Sequence, residues 1–475
     1  MTPIYSAKNT PKITIGWLLT IVLSAATAIL PAGDIFTSSI KWFCVITIFC
    51  ILLFAFELIN STIIALLLPL LYHLFDLAPL GTILSPWTQT TVWMTLGGIL
   101  LGNVFEQTGI LQRISYFFII KARGSFKGVL YALVVSGCVL AYIMPGGAMV
   151  LYFVLVYGMC KTLKVAAGTK SAALLFFAAY IAGVTCTQML TYGSLFDLTM
   201  NMARTVDPTM TISYAEYAVH CAIFYPALFL MIFLALKIMK PDQEIQSLAY
   251  FKERMQELGP MKTSEKKSAG IMIVMLIFLF FQTILGLDMY EAFMLTAILC
   301  FLPYVRIGSD AVVEKTAYGT LFFMGGTMSI GVVANATGAG ALLAQYLVPL
   351  LDVGNLYGLV AVVWIIGYLL NFLLTPLAAA TVIAAPVTQA LLSLGYWPEP
   401  VLYALLQAFD NALLPYEAAG FILLYSFGMM KLTDFIKLFT MKAIFSFLYT
   451  VLIATTFWWI IGLFEAQGFC PILGF

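Results

Sequence analysis

Charge is what this 475-residue sequence lacks most, because only 9% of its residues are Asp, Glu, Lys or Arg, whereas 62% are hydrophobic. A soluble domain carries roughly 25% charged residues, so this chain has too few to cover a surface that faces water. The composition therefore predicts a protein that lies in a lipid bilayer. Its net charge of +1 and the lack of a basic run give no sign of a nucleic-acid partner.

Histidines and paired cysteines are also scarce. The sequence has two histidines, His73 and His220, which argues against a histidine-based metal centre. Its eight cysteines show no CxxC pair or metal-ligand spacing, so we expect them to pack as small apolar side chains. No Ser/His/Asp arrangement with supporting context is present either. We expect neither an enzyme nor a cofactor, with sodium ions as the one candidate exception.

Apolar segments fill most of the sequence. The first runs from about residue 13 without a small-residue cleavage site, which indicates a membrane helix rather than a signal peptide. Segments such as 148–160 and 340–351 are shorter than the ~20 residues that cross a bilayer, and they lie beside Gly or Pro. We therefore predict an all-α polytopic membrane protein with about eleven transmembrane helices and two re-entrant hairpins.

The placement of Lys and Arg predicts the orientation of the chain. Basic residues cluster near the N-terminus, between Arg113 and Lys127, at 161–170 and in a polar segment near 240–268, whereas residues 465–475 have none. We expect the N-terminus and the polar segment in the cytoplasm and the C-terminus outside. The compact loops favour a bacterial inner membrane.

The sequence repeats itself across the polar segment. Residues 91–109 return as residues 321–338, with Gly-Gly, a single Gly and Thr-Gly in the same order and one residue inserted. An internal repeat in a polytopic protein is typical of a secondary transporter, whose two related halves enclose a site near the bilayer midplane. The predicted division is a first half at 1–240, a cytoplasmic linker at 241–268 and a second half at 269–475.

Each half is expected to hold a hairpin and a broken helix. In the first half these lie near 128–160 and 171–195, and in the second half near 356–394 and 400–427. Broken backbone is tolerated at membrane depth only where it is buried in protein or lines a cavity. Gly, Pro and polar residues inside these segments are therefore the candidate sites.

The first candidate is Pro145-Gly146-Gly147-Ala148, within the first hairpin. Two glycines after a proline disfavour a continuous helix, and the amides of a turn there could face a ligand. A simple kink or short loop would explain the same residues.

The second candidate is the matching stretch from Asn371 to Thr375 and Pro376. Pro376 removes an amide donor and frees a carbonyl, and Asn371 and Thr375 lie four residues apart on one helix face. Hydrogen bonding between helices, without transport, is the alternative.

The remaining candidates are a hydroxyl-rich stretch and a pair of carboxylates. Residues 183–194 suggest an unwound segment in which Thr191 and Ser194 line a wet cavity, although hydroxyl-mediated packing would also explain them. Asp410 and Glu417 lie within an apolar segment, where carboxylates are costly and mark functional sites unless they are solvated near the interface. No Lys or Arg is expected at mid-membrane, so half-helix N-termini and amides would hold an anion, and Asp410 and Glu417 a cation.

Several stretches together resemble one family, the divalent anion:sodium symporters. Residues 54–69, with Glu57, resemble its glutamate-containing helix that runs into Ala-Leu-Leu-Pro. Residues 96–113 and 324–338 resemble its two Gly-Gly to Thr-Gly segments, and 412–415 resembles its Phe-Met-Leu-Pro stretch. The resemblance runs in order from about residue 50 to residue 440. It implies two inverted repeats, a homodimer and an elevator-type movement of the hairpins and broken helices against a scaffold.

The sequence departs from the family pattern at the hairpin tips. The family carries Ser-Asn-Thr there, but this chain has Pro-Gly-Gly-Ala at 145–148 and Thr-Pro-Leu-Ala at 375–378. Sodium could still be held by backbone carbonyls near Gly146, Gly183 and Thr375, while Asp410 or Glu417 would suit proton coupling.

The predicted function is secondary active transport of a small carboxylate-type anion, coupled to a proton or sodium gradient or to exchange. Gly146, Gly147, Ala148, Asn371, Thr375 and Pro376, together with Thr191 and Ser194, are the expected substrate residues. A proton-coupled carrier of a neutral or amine-bearing solute, and a membrane protein without transport activity, are the alternatives.

Overall fold

The computed structural model describes residues 10–56, 58–122, 125–144, 148–243, 248–316, 318–371, 374–414 and 419–464. Within these ranges the chain forms helices, short 3-10 and π-helical stretches and connecting turns, with no strand. The predicted all-α class is confirmed.

The helices of the first part of the chain begin and end as follows: α1 Thr10–Ile29, α2 Ser38–Ala55, α3 Ser61–Leu74, α4 Leu80–Leu84, α5 Thr90–Thr108, α6 Ile110–Lys121, α7 Phe126–Ile143, α8 Met149–Thr162, α9 Lys170–Tyr180, α10 Cys186–Leu190, α11 Ser194–Arg204, α12 Tyr214–His220 and α13 Phe224–Ile238. A 3-10 turn, Ser85–Thr88, precedes α5, and a π-helical stretch, Ile181–Thr185, joins α9 to α10.

The later helices are α14 Leu248–Leu258, α15 Thr263–Phe280, α16 Gln282–Leu285, α17 Met289–Phe301, α18 Asp310–Lys315, α19 Tyr318–Thr337, α20 Ala339–Leu351, α21 Leu356–Asn371, α22 Pro376–Ser393, α23 Glu399–Phe409, α24 Ala419–Ser426, α25 Leu432–Leu448 and α26 Thr455–Ile460. A second π-helical stretch, Tyr449–Ala454, joins α25 to α26.

Several helices are long and apolar enough to cross a membrane. Over the described ranges, five pass this test by length and composition, and the pair α12–α13, bent by 47°, makes a sixth. A further seven apolar helices of the same ranges have 10–17 residues each. These helices are those expected of an integral membrane protein. The number of about eleven transmembrane helices stays a prediction.

The repeated sequence motif adopts the same local conformation twice. Gly109 lies between α5 and α6, and Gly338 lies between α19 and α20. Gly109 has φ 82° and ψ 2°, and Gly338 has φ 83° and ψ 1°. This left-handed conformation is costly for residues with a Cβ atom, so the two glycines allow the same sharp turn.

Helix pairs lie where the hairpins are predicted, and interrupted helices lie where the broken helices are predicted. α7 and α8 form the first pair, and α21 and α22 form the second. The first interruption, which we call the first helix break, comprises residues 191–193 between α10 and α11. The second helix break lies between α23 and α24, and residues 410–414 of it are described. The re-entrant course of the hairpins and the division of the chain into halves stay predictions.

Candidate functional site

A cavity of about 190 Å³ lies where both helix breaks approach the ends of both helix pairs. Met149, at the start of α8, and Pro376, at the start of α22, contribute from the two pairs. The first broken helix contributes residues on both sides of its break, and the second contributes Phe409, Gly420 and Phe421. Parts of the chain that are far apart in sequence therefore form one site.

The end of the first helix pair packs directly on the π-helical stretch. Ala148 donates its backbone N–H to the Gly183 carbonyl at 3.1 Å. A Cβ atom at Gly183 would lie 2.8 Å from the Cα of Met149, so only glycine permits this approach. A Cβ atom at Gly137 of α7 would likewise lie 2.6 Å from Ala182. The π-helical stretch, a feature frequent at functional sites, thus fits between the two arms of the pair.

The first turn of α11 forms one wall of the cavity. Ser194, Leu195 and Phe196 line it, and Asp197 donates the first backbone hydrogen bond of the helix, to Gly193, at 3.0 Å. The amides that precede Asp197 have no acceptor within the helix. These amides and the helix dipole give this end of α11 a partial positive charge, which favours an anion, while Asp197 adds a carboxylate to the same turn.

Two further polar side chains of the first broken helix line the cavity. The Thr191 hydroxyl donates a hydrogen bond to the Thr187 carbonyl at 2.8 Å. A hydroxyl has one hydrogen to donate, so this side chain has no further donor for a ligand. Gln188 has its Oε1 atom buried without a hydrogen-bond partner within the described ranges. Gln188 is thus a polar group at the cavity that the protein itself leaves incompletely bonded.

The second helix pair begins α22 with Thr375 and Pro376. Thr375 caps the helix by accepting a hydrogen bond from the Ala378 amide at 3.5 Å, and Pro376 occupies the first helical position, where a missing N–H costs nothing. The Thr375 hydroxyl is therefore engaged as a cap. Pro376 lines the cavity, whereas Thr375 does not.

The second helix break contains a buried ion pair. Lys442, on α25, donates to the Asp410 carboxylate at 2.7 Å and to the Asp410 backbone carbonyl. Both side chains are fully buried. The expectation of no Lys or Arg at mid-membrane did not anticipate Lys442, which is buried within a helical segment long and apolar enough to cross a bilayer, where Asp410 supplies the opposite charge.

Amide side chains hold the backbone around this ion pair. Asn371, the last residue of α21, donates to the carbonyls of Phe409 and Asn411 at 3.0 and 2.8 Å. Asn411 in turn donates to the Gln407 carbonyl at 2.7 Å. Tyr180, a cavity residue from α9, donates its hydroxyl to Asp410 at 3.1 Å. The second helix break is thus fixed by contacts from α9, α21 and α25.

The structure brings together only part of the residue set that the sequence indicates. Thr191, Ser194 and Pro376 line the cavity. Ala148, Asn371, Thr375 and Asp410 are not among the lining residues, and they make the contacts described above. The Oδ1 atom of Asn371 is buried without a hydrogen-bond partner within the described ranges. The sequence indicates three more residues, which lie outside the described ranges: Gly146, Gly147 and Glu417.

Sequence reasoning overlooked Met149, Tyr180 and Lys442, and it did not assign a role to Gln188 within residues 183–194 or to Phe409 beside Asp410. The aromatic residues and Met149 carry no signal among 37 Phe, 24 Tyr and 22 Met. For Lys442 the sequence does carry a signal, because no charged residue follows it before Glu465. A lysine that begins a long uncharged apolar run, with Asp410 in another apolar segment, is the pattern of a buried pair.

Comparison with known proteins agrees with this architecture. The chain is 23% identical over 276 residues to the inner membrane protein YbhI of Escherichia coli K12, a match that covers 52% of this chain and 54% of that protein. It is 22% identical over 413 residues to an L-tartrate/succinate antiporter of Escherichia coli UTI89, with 80% of each chain covered.

The fold is similar to that of a solved transporter. The YdaH transporter of Alcanivorax borkumensis superposes with a TM-score of 0.58 at 17% identity, and the match covers 95% of this chain and 98% of that one. The family model described as the sodium:sulfate symporter transmembrane region matches residues 12–464. The chain therefore belongs to this family, the divalent anion:sodium symporters.

Proposed function

We propose that the protein is a secondary transporter that moves a small organic anion of the carboxylate type across a bacterial inner membrane. The observation that carries the proposal is the cavity shared by both helix breaks and both helix pairs. Interrupted helices that meet around one cavity are the usual substrate sites of such carriers. Family membership and the relatives named as L-tartrate/succinate antiporters support a dicarboxylate as the substrate.

The lining of the cavity suits an anion with a short carbon skeleton. The first turn of α11 offers backbone amides, and Ser194 and Gln188 add a hydroxyl and a side-chain amide. Phe196, Phe409 and Phe421 form apolar walls. Within the described ranges, the lining contains no charged side chain. Carboxylate groups would therefore be held by dipoles and hydrogen bonds rather than by a basic residue.

The movement that we propose is an elevator-type displacement of the helix pairs and broken helices against the remaining helices, within a homodimer of inverted repeats. The matching turns at Gly109 and Gly338 support related halves. The contacts between the first helix pair and the π-helical stretch support their movement as one body. Exchange of one carboxylate for another is the coupling that we favour, since the carboxylate of Asp410 is already paired with Lys442.

Substitution of Gln188 tests the sign of the substrate charge. Purified protein in proteoliposomes preloaded with a dicarboxylate should take up labelled dicarboxylate, and Gln188→Glu should raise the KM strongly, because a carboxylate at the cavity repels an anion. Ser194→Ala should raise the KM about 10-fold or more, the usual effect of losing one hydrogen bond to a charged group.

Two matched variants serve as controls. Gln256→Glu adds the same charge at an exposed position on α14, and Ser329→Ala removes a buried hydroxyl that donates to Gly326 on α19, away from the cavity. Neither should change the KM. The unaltered protein could take up no dicarboxylate while Gln188→Glu takes up amines more strongly than the unaltered protein does. The substrate would then be an amine-bearing solute rather than an anion. The same fold would then serve a different substrate.

A further inference from the structure

The second helix break has the features of a cation site. α23 has its C-terminal end there, and the carbonyls at such an end carry a partial negative charge that stabilises cations. In transporters with discontinuous helices, unwound carbonyls and helix C-termini hold the coupling cation. A positively charged group is therefore expected at this break.

The ammonium group of Lys442 lies in that position. It donates to three oxygen atoms of different kinds: the Asp410 carbonyl, the Asp410 carboxylate at 2.7 Å and the Asn411 side-chain Oδ1 at 3.3 Å. The ring of Tyr180 lies 5.6 Å from Nζ on another side. Carbonyl, carboxylate and amide oxygens are the ligands that hard metal cations prefer. The lysine thus uses a ligand set that would also suit a metal ion.

The backbone carbonyls beside this ion pair, from the last turn of α23 to Asn411, are engaged as well. Those of Phe409 and Asn411 accept from Asn371, that of Gln407 accepts from the Asn411 side chain, and that of Ala408 accepts from the Asn411 amide at 3.1 Å. Every backbone carbonyl from residue 407 to residue 411 therefore has a donor from the protein. Sodium, which the family description implies, does not fit among the Asp410 and Asn411 oxygens while the Lys442 ammonium group occupies the position between them.

We propose that Lys442 is a tethered cation that permanently takes the place of a mobile coupling ion at the second helix break. Its charge travels with the protein and is never released, so this break requires no sodium during the transport cycle. The inference rests on the proposed function, since a coupling ion presupposes transport. It deepens that function by favouring exchange over sodium-driven uptake through this site.

Removal of the ammonium group should convert the break into a sodium site. Lys442→Ala keeps the Asp410 and Asn411 oxygens but leaves space among them. In detergent, sodium chloride should raise the Tm of Lys442→Ala well above its value in choline chloride, and this sodium-specific shift should exceed any shift of the unaltered protein. The mechanism is mass action, because a ligand that binds only the native state stabilises it.

The matched control lacks the carboxylate as well. In the double variant Asp410→Ala with Lys442→Ala, the additional sodium shift should disappear. A folded Lys442→Ala protein with no sodium shift beyond that of the unaltered chain contradicts the proposal. So does an equal shift in the double variant, because the sodium would then bind elsewhere.

Two further measurements apply if Lys442→Ala does not fold in choline chloride. If Lys442→Ala folds only when sodium is present, the recovery of folded protein by sodium but not by choline supports the proposal. If it folds in neither salt, the sodium dependence of wild-type exchange decides: exchange that stops when sodium is replaced by choline contradicts the tethered cation, whereas exchange that continues agrees with it. The Tm shift needs no transport, so a protein without dicarboxylate uptake but with a sodium-binding Lys442→Ala variant would refute the proposed function and leave the cation site standing.

Discussion

Lys442 and Asp410 form an ion pair of 2.7 Å between side chains that are both fully buried. Such a pair is weak evidence of net stabilisation, because removing two charges from water costs about as much as their attraction returns. Its loss is still severe when only one partner is removed, since an uncompensated charge then stays in the interior. The pair therefore fixes the conformation of the second helix break more than it adds to the total stability.

Single and double substitutions should separate these two effects. Asp410→Asn and Lys442→Met should each lower the free energy of unfolding by about 3–5 kcal/mol. The combined variant should lose less than either, because neither charge is left alone. Denaturant unfolding of the purified protein in detergent measures all three. Additive losses in the combined variant would show that the two side chains do not interact as described.

Gly183 allows the first helix pair to touch the π-helical stretch. Gly183→Ala should destabilise the protein by about 1–3 kcal/mol, the usual cost of overpacking, because its Cβ atom would meet the backbone of Met149 rather than a flexible side chain. It should also impair transport, since Met149 lines the cavity.

Gly270→Ala is the matched control, because a Cβ atom there has no neighbour within 4 Å. This substitution should leave the exchange rate unchanged and the Tm unchanged or slightly raised, because alanine favours a helix interior more than glycine does. Thermal unfolding and exchange assays on both variants give the comparison. Equal behaviour of the two would contradict the close contact at Gly183.

The two left-handed glycines should respond alike to substitution. Gly109→Ala and Gly338→Ala should each cost about 1–2 kcal/mol from backbone strain alone. Their added Cβ atoms would lie no closer than 3.8 and 4.0 Å, respectively, to their neighbours, so steric overlap contributes little.

Gly81→Ala provides the comparison, since Gly81 lies in helix α4 with no neighbour within 4 Å of an added Cβ atom. Alanine should be tolerated there or slightly stabilising. Denaturant unfolding tests the three variants. Losses confined to one of the two motif glycines would argue against a shared structural role.

Glu265 and Arg113 link α15 to α6 near the polar segment through hydrogen bonds of 2.9 and 3.0 Å. Burial alone would raise the pKa of Glu265, but the hydrogen bonds and charges of Arg113 and Lys262 hold this pKa below its usual value. A lowered carboxylate pKa contributes stability above the unfolded pKa of about 4.3 and loses it as the pH falls through the folded pKa.

The stability difference between the unaltered protein and Glu265→Gln should therefore shrink as the pH falls from neutral to below about 4. Glu257→Gln is the control, because the Glu257 and Arg254 side chains are 53% and 42% exposed and such pairs contribute little. Thermal unfolding across this pH range measures the difference. A gap that stays constant would contradict the lowered pKa.

The sequence predicts the all-α class and several individual elements, because each of these has a local cause. Gly109 and Gly338, which occupy matching places in the repeated sequence, both adopt a positive φ, which favours glycine, whereas the inverted arrangement of the halves stays a prediction. Asn371 and Pro376 do bound an interruption, because proline begins a helix more readily than it continues one. The break at 191–193 lies within the stretch that was predicted to be unwound.

The sequence was much less informative about contacts between distant segments. Lys442 is 32 residues from Asp410, and Tyr180 is 230 residues from it, so their meeting depends on packing that no local pattern encodes. Asp410 was read as a candidate proton carrier for the same reason. Substrate and coupling roles for these residues stay predictions.

Exchange across a sealed membrane tests the central claim most directly. Proteoliposomes with the unaltered protein, loaded with one dicarboxylate and placed in another that is labelled, should accumulate label. Empty liposomes, and vesicles without internal dicarboxylate, should accumulate little. Replacement of external sodium by choline should leave at least part of this exchange in place. The same assay is repeated with labelled amines and neutral solutes. Accumulation of these solutes alone, or of none of the solutes tested, would contradict a carrier of organic anions.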